Sequence, residues 1–213
     1  MTVFRRKRLF QIVSHAVKAL RNQRLFITYD VREFPSSLGL AGSLLIAHPN
    51  LLDPNFRRSV LILSAHEPQE GSFGLIVNRV TNKTVSELLP EKNLGLLADV
   101  PVFTGGPVSR DQLTFATFSW SDDSLTVRTH LMIEEARAIA EEDFDAVRAF
   151  VGYSGWGQGQ LEAELAQKAW LVQKPDRDLL DLEKCKMLWT TIMREQGPWF
   201  RLLASAPDDP SVN

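Results

Sequence analysis

Residues 146–171, AVRAFVGYSGWGQGQLEAELAQKAWL, decide the fold more than any other stretch of this chain. The apolar run Ala146–Tyr153 predicts a buried strand. Glycines at every second position from 155 to 159 then predict a loop, and Gln160–Leu171 predicts a helix. Strand, glycine loop and helix form the one part of the chain that resembles half of an α/β unit, whereas the apolar run at residues 59–65 predicts the central strand.

The remaining apolar runs predict a sheet with helices around it. Six more strands are predicted, at residues 43–47, 59–65, 73–80, 101–104, 112–118 and 125–131. Further helices are predicted to begin at the capping box Thr84–Glu87 and to cover residues 133–142 and 181–194. Since short turns separate most neighbouring strands, we expect an α+β fold. It combines a mixed, mostly antiparallel β-sheet with flanking helices and one strand–glycine loop–helix unit.

The composition narrows the class of protein. The single cysteine, Cys185, excludes an internal disulfide and a multi-cysteine metal site, and we expect it to be a buried small apolar residue of a helix. No apolar run approaches the roughly 18–20 residues of a transmembrane helix, and no secretory signal is evident. We therefore expect a cytoplasmic protein without a transmembrane segment.

Charge is distributed unevenly along the chain. Residues 1–29 contain seven basic residues and no acid, so the net charge of −2 leaves −9 for the rest of the chain. An apolar stripe of helical period runs along this segment, at Leu9, Ile12, Val13, Ala16, Val17 and Leu20. The sequence predicts a basic amphipathic arm over residues 1–36, a domain over residues 37–205 and a tail over residues 206–213. The arm suits a docked helix, a targeting segment or contact with an anionic surface, whereas the acidic body disfavours direct nucleic-acid binding.

Contact of the arm with nucleic acid is directly testable. If the arm binds DNA, deletion of residues 1–36 is expected to abolish a salt-sensitive shift of DNA mobility, because the cations that displace the counterions of DNA are lost. A shift that persists after the deletion would exclude the arm as the contact.

The glycine loop has two interpretations, an anion-binding cradle and a tight turn. Its G-x-G-x-G spacing is not a dinucleotide fingerprint, and bulky Trp156 interrupts it, so we favour a turn that Tyr153 and Trp156 pack. Ser154 fails the G-x-S-x-G pattern of a nucleophile elbow. Glu162 lies in the first turn of the predicted helix, where the helix dipole stabilises its negative charge. Glu164 does not share a helix face with Glu162, so the two do not form an obvious acid/base pair.

The histidines suggest only one candidate catalytic or metal site. His48 and His66 end adjacent predicted strands, and with Asp53 they would make a His/His/Asp site for a metal or a general base. The alternative is that they bond to loop backbone. His15 and His130 add no metal-ligand spacing.

The segment HPNLLDPNF, residues 48–56, predicts an ordered loop, because Leu51, Leu52 and Phe56 need burial. Arg57 and Arg58 follow it. Arginines there suit a phosphate or carboxylate ligand, or an internal ion pair with one of the many acids.

Several long motifs occur together and in order. GSLLIAHPNLLDPNFRRSVLILSAH, GSFGLIVNR, VFTGGPV and GYSGWGQGQLEAELAQKAW resemble the AlgH/YqgE family of bacterial proteins, over roughly residues 42–189. The resemblance implies an α+β fold with a mixed sheet and a cytoplasmic protein, sometimes named a putative transcriptional regulator, and it implies no mechanism. The basic arm is a departure from the family. The motif positions are Asp53, Pro54, Phe56, Ser59, Asn78, Gly105, Gly106, Pro107, Gly152, Tyr153, Trp156, Gly159, Gln160, Glu162 and Trp170.

These patterns favour a non-enzymatic regulatory or binding module that needs no metal or cofactor. Its cleft would lie near the DPNF, GGP and GYSGWGQGQ loops and take a small molecule or a protein partner. The candidate ligand-binding residues are Asp53, Arg57, Asn78, Gly106, Tyr153, Trp156, Gly157 and Gly159. The alternatives are a hydrolase that uses His48, His66 and Asp53, and a transcriptional regulator that contacts nucleic acid through the arm.

Overall fold

A nine-stranded sheet runs through the part of the chain that the computed structural model describes, residues 39–67, 69–90, 92–121 and 124–206. The strands are β1 (Leu44–Ala47), β2 (Val60–Glu67), β3 (Gly71–Ile76), β4 (Val80–Thr84), β5 (Pro101–Thr104), β6 (Val108–Ser121), β7 (Ser124–Leu131), β8 (Val147–Trp156) and β9 (Trp170–Gln173). The helices are α1 (Val85–Leu88), α2 (Ile133–Glu142), α3 (Gln160–Ala166), α4 (Leu182–Cys185), α5 (Leu188–Glu195) and α6 (Pro198–Ala204). The predicted α+β fold is confirmed.

Strand β8 is the centre of the sheet because it pairs with three others. The strand order is β4-β5-β8-β3-β2-β1-β9, and β6 joins β8 to β7. Only the β5–β8 pair is parallel, and every other pair is antiparallel. The mixed, mostly antiparallel sheet therefore follows the prediction.

Helices cover both faces of the sheet. Alternate residues of β1 and β2 point to opposite sides, so that Ile46 packs towards α4–α6 whereas Leu45 packs towards α3. A third cluster lies between α2 and the start of β8, where Ala136 and Ala140 are buried. Cys185 is buried in α4, as predicted, and burial raises the pKa of its thiol.

The glycines of the GGP motif are required by close backbone contacts. A β-carbon on Gly106 would lie 2.2 Å from the carbonyl of Tyr153, and one on Gly105 would lie 2.3 Å from the oxygen of Gly152. Gly152 itself has φ +70° and would bring a β-carbon within 2.7 Å of two carbonyl oxygens. Only glycine lets the β5–β6 loop approach β8 this closely.

The boundaries differ from prediction where tertiary pairing decides them. The predicted strand over 73–80 is two strands, because β3 ends at Ile76 and β4 begins at Val80. The predicted helix over 160–171 ends at Ala166, since Lys168 has φ +57° and Trp170 enters β9 beside β1. The helix predicted over 181–194 is broken between α4 and α5, and α6 was not predicted.

The predicted arm, residues 1–36, lies outside the described residues, as does the tail apart from Ala206. Across the stretches that are described, no helix has the length and apolarity to cross a membrane. Leu52, which was predicted to be buried, is 55% exposed, because the loop after β1 turns it outward.

Candidate functional site

The DPNF loop is held by two arginines that come from distant parts of the chain. Arg79 donates hydrogen bonds to the carbonyls of Asn55 and Arg57, both at 2.8 Å. Arg110, near the start of β6, donates to Oδ1 of Asn55 at 2.7 Å. Arg110 lies three residues beyond Pro107, so this bond joins the start of β6 to the DPNF loop.

Arg57, Arg79 and Arg110 form what we call the arginine cluster. The pKa of Arg79 is lowered, first by burial and then by the positive charges of Arg110 and Arg57, while Asp53 acts in the opposite direction. In the described stretches, no carboxylate lies within ion-pair distance of these three side chains. The internal ion pair proposed as an alternative for Arg57 is therefore not found there.

Asp53 and Asn78 shape the loop from within. Asp53 Oδ1 accepts the N–H of Asn55 at 2.7 Å, which makes a local turn. Asn78 is buried, accepts the N–H of Val60 at 2.8 Å and donates to the carbonyl of Arg58 at 2.9 Å. Both groups of the Asn78 amide thus form hydrogen bonds with the backbone.

Arg58 does not belong to the arginine cluster, although it is adjacent to Arg57 in the chain. Its φ of +55° turns the side chain away, so that the guanidinium lies 5.1 Å from the centre of the Trp189 ring and donates to the carbonyl of Ala206. The two adjacent arginines therefore serve different purposes.

An aromatic cluster connects the DPNF loop to the GYSGWGQGQ motif. Phe56 stacks on Trp156 with ring centres 6.3 Å apart, and it meets the edge of Trp170 at 5.5 Å. Both indoles are almost completely buried, and both donate their N–H to Oε2 of Glu164, at 2.9 Å and 2.8 Å. The DPNF loop and the GYSGWGQGQ motif thus meet around Phe56.

The glycine loop is a strand end followed by a tight turn. Gly155 belongs to β8, the N–H of Gly157 is 3.2 Å from Oε1 of Gln160, and Gly159 adopts φ +68° at the start of α3. A side chain therefore occupies the amide that an anion cradle would need, which supports the turn interpretation. Ser154 is fully buried and donates to the carbonyl of Gly105, so it is not a nucleophile.

Tyr153 and Trp156, both predicted to pack the glycine loop, belong to different clusters of the core. They lie three residues apart in a strand and so face opposite sides of the sheet. Tyr153 stacks on Phe73 with ring centres 5.1 Å apart, on the face away from Trp156. Of the candidate residues, Tyr153 and Gly106 thus have structural contacts rather than contacts with the arginine cluster.

The predicted His48/His66/Asp53 site is wrong. In the β1–β2 register Leu44 opposes Ile62, so His48 and His66 lie at opposite ends of the sheet, separated by roughly 25 Å at ~3.3 Å per residue. His48 lies against Phe200, and burial, together with the charge of Lys168, lowers its pKa. Throughout the described residues, no cluster of His, Cys, Asp and Glu has the arrangement of a metal site.

Two residues that organise the site were missed by sequence reasoning. Arg110 lies in a polar stretch of β6 that shows no motif, and Glu164 was set aside because it does not share a helix face with Glu162. The sequence feature that could have identified Glu164 is its spacing from two tryptophans. It lies eight residues after Trp156 and six before Trp170.

Comparison with known proteins identifies the family. Residues 44–201 match the model of the AlgH-like family, DUF179. A UPF0301 protein of Streptomyces avermitilis is 35% identical over 193 residues, covering 82% of this chain and 95% of that protein. One of Thioalkalivibrio sulfidiphilus is 38% identical over 156 residues, covering 68% of this chain and 83% of that protein.

Solved structures share the fold. The solution structure of the AlgH protein from Pseudomonas aeruginosa superposes with a TM-score of 0.58 at 28% identity, covering 82% of this chain and 98% of that one. A crystal structure of a protein from Corynebacterium diphtheriae superposes with a TM-score of 0.61 at 18% identity, covering 85% of this chain and all of that one, and shows the fold alone. This chain belongs to the AlgH-like family of UPF0301 proteins.

Proposed function

We propose that this protein is a binding module for a small molecule that carries a phosphate or carboxylate group. The observation that carries the proposal is the arginine cluster. Arg79 and Arg110 direct their hydrogen bonds to neutral acceptors of the DPNF loop, and among the described residues no carboxylate forms an ion pair with them. Burial, followed by the positive charges of Arg110 and Arg57, lowers the pKa of Arg79, and a bound oxyanion would offset the repulsion among these three charges.

The arrangement suits binding because the loop is fixed in advance. Arg79 holds two carbonyls of the loop, and the stacking of Phe56 on Trp156 anchors its far end. A ligand therefore meets guanidinium groups whose positions are already restricted, which reduces the ordering cost of binding. Arg110 is exposed and gives access from solvent.

We expect binding to be measurable as stabilisation of the folded protein. In a thermal-shift screen with inorganic phosphate, nucleotides and sugar phosphates, a ligand at ~100 times its Kd adds about 2.7 kcal/mol. For a domain of this size, that raises Tm by roughly 5–10 °C. The Arg110→Met variant is expected to weaken the binding about 10- to 100-fold, since a charged hydrogen-bond donor contributes about 1.5–3 kcal/mol.

The matched control is Arg194→Gln, which removes an exposed arginine of α5. It should leave the Tm shift unchanged. A screen in which no anion raises Tm, or an Arg110→Met variant that binds as tightly as the unmodified chain, would exclude the arginine cluster as the site.

We further propose that this binding is regulatory and takes place in the cytoplasm, which a single buried thiol suits. We expect a protein partner to recognise the ligand-bound form of this protein. Contact with nucleic acid through residues 1–36 stays a separate prediction, which the deletion described above tests.

A further inference from the structure

A second group of polar side chains lies at the end of the β2–β3 hairpin, outside the arginine cluster. His66 Nδ1 is 2.9 Å from Ser72 Oγ, and His66 Nε2 is 3.6 Å from Glu162 Oε1. The three side chains thus form a hydroxyl–imidazole–carboxylate line. None of the sequence motifs joins these three residues.

A β-bulge in β2 brings the three side chains into this arrangement. The β2–β3 register shifts between Leu63 and Ala65, so a bulged residue precedes His66 and turns it onto the face that α3 covers. His66 then stands opposite Ser72. Glu162, in the first turn of α3, approaches the ring from above the sheet.

The surroundings fix the proton positions on the imidazole. The His66 side chain is only 8% exposed, and Glu162 Oε1 is buried and accepts no hydrogen bond from any described residue. A buried carboxylate oxygen without a donor is costly, so the favoured tautomer carries its proton on Nε2, towards Glu162. Nδ1 is then the acceptor that faces the hydroxyl of Ser72.

We propose that Ser72, His66 and Glu162 form an esterase-type site in which Ser72 is the nucleophile. Ser72 Oγ attacks the carbonyl carbon of a carboxylic ester while its proton moves to His66 Nδ1, and Glu162 stabilises the imidazolium. The ester C–O bond then breaks, and the alcohol leaves with the proton from His66. Water attacks the acyl group, gives a proton to His66 and releases the acid, and Ser72 regains its proton.

The position of the site defines the class of substrate. Glu162 is partly exposed, and Glu67 at the end of β2 and Glu70 in the turn before β3 are exposed. These acids repel an anion, so an uncharged or cationic ester is favoured. The neighbouring Gly157 presents open space, since a β-carbon there would have no contact closer than 4.0 Å.

Covalent labelling tests the proposal more sharply than turnover. The full chain is incubated with a neutral alkyl fluorophosphonate, and the adduct is located in the tryptic peptide of residues 59–79. We expect label on Ser72 and none on Ser119, an exposed strand serine. The His66→Gln variant should slow labelling about 100-fold, the usual contribution of a general base, and Glu162→Gln by a smaller factor.

The controls separate activation of Ser72 from a loss of folding. Ser119→Ala and His130→Gln remove an exposed serine and an exposed histidine, and both should label Ser72 at the unmodified rate. In the Ser72→Cys variant, the new thiol should react with iodoacetamide about tenfold faster than in the Ser72→Cys/His66→Gln double variant, since a neighbouring base lowers its pKa. Equal thiol rates, or a folded chain whose Ser72 takes no more label than Ser119, would overturn the proposal.

Discussion

Replacing Gly106 with alanine is expected to lower the free energy of unfolding by about 3–5 kcal/mol, because buried hydrogen bonds must break to make room for the methyl group. For a domain of this length, that corresponds to a fall in Tm of roughly 6–20 °C. Urea unfolding followed by tryptophan fluorescence measures the change.

The reason is a contact between two backbones, which has no flexible side chain to give way. The added β-carbon would lie 2.2 Å from the Tyr153 carbonyl and 2.5 Å from the amide nitrogen of Ser154. Moving the loop away from β8 would stretch two backbone hydrogen bonds of Gly105. The N–H of Gly105 donates to the carbonyl of Val151 at 3.0 Å, and the carbonyl of Gly105 accepts the N–H of Ile76 at 2.9 Å.

The glycine loop supplies the matched control. Gly157 follows the end of β8 and has open space at its β-carbon position. Gly157→Ala should therefore change the free energy of unfolding by less than ~0.5 kcal/mol. If Gly106→Ala proved as stable as Gly157→Ala, the close approach of the β5–β6 loop to β8 would be wrong.

Replacing Glu164 with leucine is expected to lower the free energy of unfolding by about 2–5 kcal/mol. One carboxylate oxygen accepts the N–H groups of both Trp156 and Trp170, and each indole is at most 5% exposed. Leucine leaves both donors buried and unbonded, at about 1–3 kcal/mol each. Urea unfolding measures the loss, and the tryptophan emission of the folded state reports any opening of the cluster.

The conservative variant distinguishes hydrogen bonding from packing. Glu164→Gln keeps an oxygen that can accept both indole N–H groups and gives up the bond from Gln160, which lies at the surface. Its loss should be less than half that of Glu164→Leu. Equal losses in the two variants would show that the cluster depends on charge rather than on an acceptor atom, and no loss in either would contradict the network.

This network also bears on the proposed ligand site. Phe56 lies between Trp156 and Trp170, and the same loop presents Asn55 to the two clamping arginines. A change at Glu164 that loosens the tryptophans is therefore expected to weaken anion binding as well, whereas a change at Arg110 leaves the aromatic cluster in place. The expected coupling would act through the DPNF loop, which contacts both clusters.

Much of the fold follows from local pattern. The helix over 133–142 and the strand over 101–104 agree with the structure to the residue, because each has a complete periodic pattern between clear breaks. The helix predicted over 160–171 failed where a local pattern is ambiguous. Trp170 and Leu171 are apolar in either state, and pairing of β9 with β1 decides for a strand.

The sequence by itself determined the α+β class and the order of strand, turn and helix around the GYSGWGQGQ motif, since these depend on residues close in the chain. Only the tertiary structure decided which side chains meet. Arg110 reaches Asn55 across 55 residues, and a single bulge in β2 turns His66 towards Ser72 and Glu162. The physical reason is that the facing direction of a strand residue changes with one inserted residue, and periodicity alone cannot locate that insertion.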